Sequence, residues 1–278
     1  MTKLQQQKGF TLVELAIVLT IIGLLIGGIL KGQQLMQNAR VTATIAQVKA
    51  IEAATTSFRD FYNAMPGDLK NGQSKIPNCT AACTLPAGTV GDGFVGTVAW
   101  DMQRYQSVPA GPGAVGAGGA ATDFETVLFW YELEKAGLIS AVTDAGVTGG
   151  SAAFGKALPA ARLGGGFWAG NSDGSSANLR LAAGGNFTLL GTILTMVDVP
   201  DGGGPGLTNT SGAQAMTPAV AAQIDRKIDD GIPATGGVQP YGVAASCYGG
   251  AAAVSPSTTY YDESVNAKDC GLHLRIQQ

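Results

Sequence analysis

The sequence predicts an α+β fold in which one long N-terminal α-helix packs on a head with an antiparallel β-sheet and two short helices. No proline occurs between Gly9 and Pro66, so a single helix can run through this stretch. Beyond Pro66, apolar segments with helical or alternating spacing are separated by turn-like clusters of glycine, asparagine and aspartate. Together these observations predict a helical stalk followed by a loop-rich, sheet-containing head.

The composition is more typical of an exported, loop-rich protein than of a cytosolic enzyme. Of the 278 residues 13% are charged, 45% are hydrophobic and 41 are glycine. The formal net charge of -3 does not favour binding to nucleic acid or to an anionic membrane surface. We therefore expect no nucleic-acid partner.

The first half of the predicted helix can cross a membrane. Residues 1–9 are short, polar and basic, and residues 10–30 follow with Glu14 as their one formal charge. About 20 apolar residues are needed to span a bilayer. A secretory signal peptide would have a shorter apolar core followed by a small-residue cleavage site, and this stretch has neither. An ordinary signal anchor would explain the length, but not the residues around the start of the apolar run.

Those residues read Lys8-Gly9-Phe10-Thr11-Leu12-Val13-Glu14. This segment resembles the processing motif of type IV pilins and of the pseudopilins of type II secretion. The resemblance implies that a prepilin peptidase cuts after Gly9 and methylates the new N-terminal residue, Phe10. It also implies that Glu14 is needed for assembly.

Physical chemistry is consistent with these roles. Glycine leaves the backbone at the cut unobstructed, and cleavage frees an α-amino group beside an apolar helix. A carboxylate inside a membrane is costly without a partner. We therefore expect Glu14 to pair with the amine of Phe10, in its own chain or in a neighbour. The alternative is that Glu14 lies at the interface and reaches water.

The basic residues before the apolar run, Lys3 and Lys8, favour a cytoplasmic N-terminus, which places the head in the periplasm and the anchor in the inner membrane. Small surfaces at Gly23, Gly27 and Gly28 suit close packing between membrane helices.

The second half of the helix carries an apolar stripe. Its members recur every three or four residues: Val41, Ile45, Val48, Ile51, Thr55, Phe58 and Tyr62. The segment 63–68 ends the helix, because the residue before Pro66 disfavours helical geometry. We expect a leader at 1–9, a helix at 10–62 with its membrane span at 10–30, and a head at 63–278.

Two short helices are predicted in the head. A capping box, Thr122-Asp-Phe-Glu125, begins one at about 123–136, and Gly137 ends it. The second begins with Thr217 as N-cap and Pro218 at the first helical position, and Gly231 stops it.

Strands are predicted at 166–170, 178–183, 187–197 and 272–276, with turns at 171–174 and 184–186 and a loop at 201–206. Residues 66–121 have little periodicity and are expected to form a surface region with at most short strands.

Four cysteines become informative if the head lies outside the cytoplasm, where disulfides persist. Cys79 and Cys83 are close enough to form a local bridge, although either one could instead be free or pair elsewhere. Cys247 and Cys270 bracket a glycine-rich loop, and a bridge between them would resemble the C-terminal disulfide loop of pilins.

No catalytic or cofactor site is predicted. His273 is the single histidine and is expected to be an ordinary strand residue. Residues 111–116 match GxGxxG but contain proline and are expected to form a loop. Some pseudopilins bind calcium, and carboxylates are available for it, but without EF-hand spacing. We expect these residues to serve as caps or surface groups: Asp198, Asp201, Asp225, Asp229 and Asp230.

The sequence thus predicts a structural subunit of a type IV pilus or a pilus-like filament, and not an enzyme. The alternatives are a type II secretion pseudopilin and, from a different class, a membrane-tethered periplasmic enzyme or binding protein. The expected partners are prepilin peptidase, copies of itself and other pilins or pseudopilins. An inner-membrane platform protein and a cytoplasmic assembly ATPase would complete the system.

Overall fold

The computed structural model describes residues 11–79, 83, 91, 93, 95, 124–140, 142, 154–155, 158–172, 185–191, 212, 214–233, 235–249 and 260–276. The described helices are α1 (Leu12–Tyr62), α2 (Gly72–Lys75), α3 (Phe124–Lys135), α4 (Pro218–Ile228) and α5 (Ala244–Cys247). The described strands are β1 (Gly166–Ser172), β2 (Gly185–Gly191), β3 (Val238–Gly242) and β4 (Cys270–Arg275). The α+β prediction is confirmed.

Helix α1 is one unbroken helix of 51 residues, as predicted. Thr11 is its N-cap, and Asn63 ends it in the left-handed conformation at φ 51° and ψ 38°. The amide of Asn63 donates to the carbonyl oxygen of Arg59 at 2.8 Å. Asparagine tolerates this conformation better than most residues, so the helix stops three residues before Pro66.

The C-terminal half of α1 buries the predicted stripe. Seven of its residues are buried: Val41, Thr44, Val48, Ile51, Ala54, Thr55 and Phe58. Ile45 and Tyr62 are only partly buried. Thr44 and Ala54 were not part of the predicted stripe, and the hydroxyl of Thr44 donates to the carbonyl oxygen of Arg40 at 2.9 Å. Hydrogen bonding within the helix therefore lets this threonine face the core.

The four described strands form one antiparallel sheet in the order β1-β2-β4-β3. Strand β4 was predicted at nearly the observed position. Strand β3 was missed, because Pro240 interrupts its apolar pattern. In the sheet Pro240 pairs with Leu272, and β3 has a described neighbour on one side only. Proline is tolerated at such an edge because it has no amide to donate.

The predicted turns at 171–174 and 184–186 are wrong where the structure describes them. Asn171 and Ser172 belong to β1, where they pair with Asn186 and Gly185 of β2. Cross-strand pairing has overridden the local turn preference of these small polar residues. The predicted strand at 178–183, the end of the one at 187–197 and the loops at 111–116 and 201–206 lie outside the described residues.

The two predicted head helices are present as α3 and α4. Gly137 ends α3 as expected, at φ 72°, and its amide donates to Glu134 at 2.8 Å. The proposed N-cap of α3, Thr122, lies outside the described residues. Helix α4 ends at Ile228, three residues before the predicted stop at Gly231. The short helices α2 and α5 were not predicted, because four residues are too few to show a period.

The core of the head lies between α1, α3, α4 and the sheet. Helix α1 contacts both α3 and α4, α3 contacts β1, and α4 contacts β3 and β4. The largest fully buried side chains include Phe58 of α1, Trp130 of α3, Phe167 of β1 and Tyr241 of β3. The C-terminal half of α1 is therefore part of the packed core of the head.

Candidate functional site: the N-terminal helix

The first turn of α1 is closed by a reciprocal cap between Thr11 and Glu14. The amide and the hydroxyl of Thr11 donate to Oε2 of Glu14 at 2.9 and 2.7 Å. The amide of Glu14 donates to the hydroxyl of Thr11 at 3.3 Å. This arrangement satisfies two orphan donors at the helix start. Glu14 therefore has a local partner that the sequence analysis missed, although the Thr-x-x-Glu spacing signals it.

The cap stands at the start of a long unpartnered stretch. Every residue from 11 to 40 is exposed, so within the described structure this part of α1 packs on nothing. Exposed large apolar side chains run from Leu12 to Met36. By length and composition α1 can cross a membrane. A soluble monomer rarely exposes so long an apolar surface, so this half-helix needs lipid or other helices around it.

The glycines of the apolar half leave room for a close neighbour. A methyl group built at Gly23, Gly27 or Gly28 would meet nothing within 4 Å. Within the described structure these positions have no tertiary role, and small residues let helix backbones approach each other.

The structure describes Glu14 but neither of the two residues named for processing. Gly9 and Phe10 lie outside the described residues, so cleavage, methylation and the pairing of Glu14 with the Phe10 amine stay predictions.

Both predicted disulfides are present in the structure. Cys79 joins Cys83 across a sequence separation of 4, and Cys247 joins Cys270 across 23. The second bridge links α5 to the first residue of β4, and both of its cysteines are fully buried.

Three acidic side chains cluster at the end of α4. Carboxylate oxygens of Asp225, Asp229 and Asp230 lie within 4.8 Å of one another. Asp225 accepts from the hydroxyl of Tyr261 at 2.7 Å and from the amide of Gly231 at 3.2 Å. Burial raises the pKa of Asp225 to about 6.

The other two carboxylates of this cluster bind the following turn. Asp229 accepts from the amide of Val238 at 3.1 Å, and Asp230 accepts from the amide of Ile232 at 2.8 Å. All three acids thus act as acceptors that shape the chain after α4. Asp198 and Asp201, which were also considered for calcium, lie outside the described residues.

The single histidine sits in β4 and is fully buried. Its ring packs edge-on against Tyr241 with centroids 5.3 Å apart. Burial lowers the pKa of His273 to about 3, so the imidazole is neutral at neutral pH. The position agrees with the prediction of an ordinary strand residue.

Comparison with known proteins places a family motif at the start of the chain. Residues 4–30 match the model of the prokaryotic N-terminal methylation motif. The chain carries the leader signature of type IV pilins and pseudopilins. The match covers the predicted cleavage site after Gly9, Glu14 and the apolar run up to residue 30. No curated protein and no solved structure matches the chain. The evidence for a pilin-like layout is therefore the motif, the long helix α1 and the antiparallel sheet that follows it in the chain.

Proposed function

We propose that this pilin-like chain is a structural subunit of a type IV pilus or pilus-like filament. The observation that carries the proposal is the continuity between the methylation motif and α1. The motif ends at residue 30, and the exposed part of α1 extends to residue 40 before the helix enters the head. The apolar end of this helix can be held in a membrane, while its other end packs against the head. The same apolar end can pack repeatedly against identical helices in a filament.

In this proposal prepilin peptidase removes residues 1–9, and the mature chain begins with methylated Phe10. The chain waits in the inner membrane with its head, residues 63–278, in the periplasm. A platform protein and a cytoplasmic ATPase extract it into the filament. Glu14 then neutralises the α-amino group of a neighbouring Phe10 and sets the axial register between helices, because a charge pair is strong where water is excluded.

Mass spectrometry tests the processing step. The purified mature protein should begin at Phe10 and carry one added methyl group. A chain that retains residues 1–9 while still forming filaments would overturn the proposal.

Two substitutions at Glu14 distinguish the effect of its charge from the effect of its capping hydrogen bonds with Thr11. Glu14→Ala removes both, and Glu14→Gln keeps an acceptor for Thr11 but removes the charge. We expect both variants to be processed normally and to lose assembly, with sheared filaments reduced at least about tenfold. Filaments from Glu14→Gln at the wild-type level would mean that Glu14 acts only as a cap.

Deletion of the gene distinguishes the pilus from the secretion system. Loss of surface filaments supports the pilus subunit, whereas a secretion defect in cells without such filaments supports a type II secretion pseudopilin.

A further inference from the structure

The head end of α1 carries a groove on one side and an exposed aromatic side chain on the other. The groove has a volume of about 580 Å³ and lies between α1, the end of α4 and strands β3 and β4. Ile51, Val238 and Ile276 contribute to its apolar lining. An apolar side chain from another molecule that enters this groove would be buried against apolar side chains of the head.

Charged side chains also line this groove. Lys49 and Arg275 supply positive charge, and Glu52 and Asp229 supply negative charge. Asp229 already accepts a hydrogen bond from the amide of Val238 in β3. Lys49 and Glu52 have no ion pair among the residues that the structure describes, and both are exposed. These two side chains can therefore form ion pairs with a partner.

Phe61, in the last turn of α1, is the counterpart of the groove. Its side chain is 75% exposed, the largest exposure of any described large apolar residue beyond the apolar half of the helix. Its neighbour Tyr62 faces the core instead, packed on Phe58 with centroids 4.5 Å apart. Phe61 thus projects from the head as an apolar knob on a rigid support.

The knob and the groove point in opposite directions. From Glu52 to Phe61 is nine residues, which at 3.6 residues per turn is two and a half turns, so the two side chains leave α1 on opposite sides. Along the axis they are about 14 Å apart. A contact between Phe61 of one copy and the groove of the next is therefore heterologous and staggered. Such a contact repeats as an open helix instead of closing into a dimer.

We propose that the groove receives Phe61 of a neighbouring copy of this chain. The charges support this occupant. Lys49 and Asp60 are eleven residues apart, three turns and about 20°, so they lie on the same side of α1. In a copy shifted by nine residues, Asp60 lies level with residue 51, about 3 Å along the axis from Lys49. In parallel copies both side chains leave their helices toward the same flank of the contact, so an exposed acid of one copy and an exposed base of the next lie at a similar level along the axis.

This inference rests on the proposed filament function and adds a specific contact between heads. It is tested by cysteine cross-linking in filaments sheared from cells. The four native cysteines are all in disulfides, so introduced thiols have no native competitor. Each copy of the Phe61→Cys/Glu52→Cys variant carries both halves of the contact. After mild oxidation it should give a ladder of covalent multimers on a non-reducing gel.

The matched control is Phe61→Cys/Ala50→Cys. Ala50 is also exposed on α1, but it lies eleven residues from Phe61 and hence on the same side of the helix. This variant and each single-cysteine variant should give no ladder. A Phe61→Cys dimer, a cross-link to a different protein, or intact filaments without a ladder would overturn the inference.

A second measurement covers the case in which the double variant does not assemble. Phe61→Ala should reduce the filament yield about tenfold, because a buried aromatic anchor dominates such contacts, and should leave the melting temperature unchanged. Tyr260→Ala removes another exposed aromatic, 60% exposed, and should leave the yield unchanged. If Phe61→Ala gives as many filaments as the wild type, the proposed contact is wrong and the proposed function still stands. If the wild type itself forms no filaments, the proposed function is wrong as well.

Discussion

Among single residues, Glu132 on α3 has an unusual environment for an acidic side chain. Its side chain is fully buried, and Oε2 accepts from the amide of Gly67 at 2.7 Å. Burial raises the pKa of Glu132 to about 8, against the lowering effect of that hydrogen bond. The nearby carboxylates of Asp68 and Glu125 raise it further. Glu132 is therefore mostly protonated at neutral pH.

This environment makes the stability of the head depend on pH. The folded pKa of Glu132 lies above the unfolded value, so the unfolded chain releases this proton first as pH rises. The contribution of Glu132 is fully present below about pH 4.5 and is lost on the way to about pH 8. The loss is on the order of 5 kcal/mol. Asp225 acts in the same direction over a lower window, ending near pH 6.

Glu132→Gln should remove this dependence, because the amide keeps an acceptor for Gly67 and cannot ionise. We expect the variant to melt above the wild type at pH 9 and close to it at pH 5, measured by circular dichroism on the full chain in detergent. Glu134→Gln, two residues along the same helix, is the control and should retain the wild-type profile. Identical profiles for Glu132→Gln and the wild type would contradict the assignment.

At the scale of elements, the turn that ends α1 is held against α3. Gly67 has φ +84°, and a Cβ built on it would lie 2.4 Å from the carbonyl oxygen of Glu125. The same glycine donates its amide to Glu132. Only a residue without a side chain allows both the left-handed conformation and this close approach. The turn therefore fixes where the head begins relative to the long helix.

Gly67→Ala should destabilise the head by about 3 kcal/mol or more, because backbone strain adds to a clash with backbone atoms. Gly137→Ala is the matched control. Gly137 also has positive φ, but a Cβ there would meet nothing within 4 Å. This control should cost only about 1–2 kcal/mol. Equal losses of stability in the two variants, measured by thermal denaturation, would show that the close approach of Gly67 to α3 does not matter.

At the scale of the whole molecule, the disulfides differ in what they connect. Cys79–Cys83 closes a small local loop after α2. Cys247–Cys270 ties α5 and the edge of the head to β4, a strand paired on both sides. In the chain-entropy model a bridge stabilises more when the loop that it closes is longer.

Replacing both cysteines of a pair by alanine should reveal this difference. Loss of Cys247–Cys270 should lower the free energy of unfolding by about 3 kcal/mol, and loss of Cys79–Cys83 by about 2 kcal/mol. Denaturant unfolding of the two double variants measures both values. A larger loss from the local bridge would mean that native packing around Cys83, and not loop length, dominates.

The long helix, its apolar half, its buried stripe and the motif at its start could all be predicted from the order of the residues alone. These features depend on residue type and on spacing within a few turns, so they can be recognised without knowledge of the partners. The two main head helices and the final strand were predictable for the same reason. The cap between Thr11 and Glu14 also belongs here, because its signal is local.

Three features became evident only in the folded chain: the order of the sheet, the inclusion of Pro240 in an edge strand and the strand conformation of Asn171 and Ser172. The protonation of Glu132 likewise depends on the fold, because burial of its side chain raises the pKa against the lowering effect of the hydrogen bond from Gly67, 65 residues away in sequence. Each of these features is set by contacts between distant segments, and such contacts can outweigh the local preferences on which a sequence prediction depends.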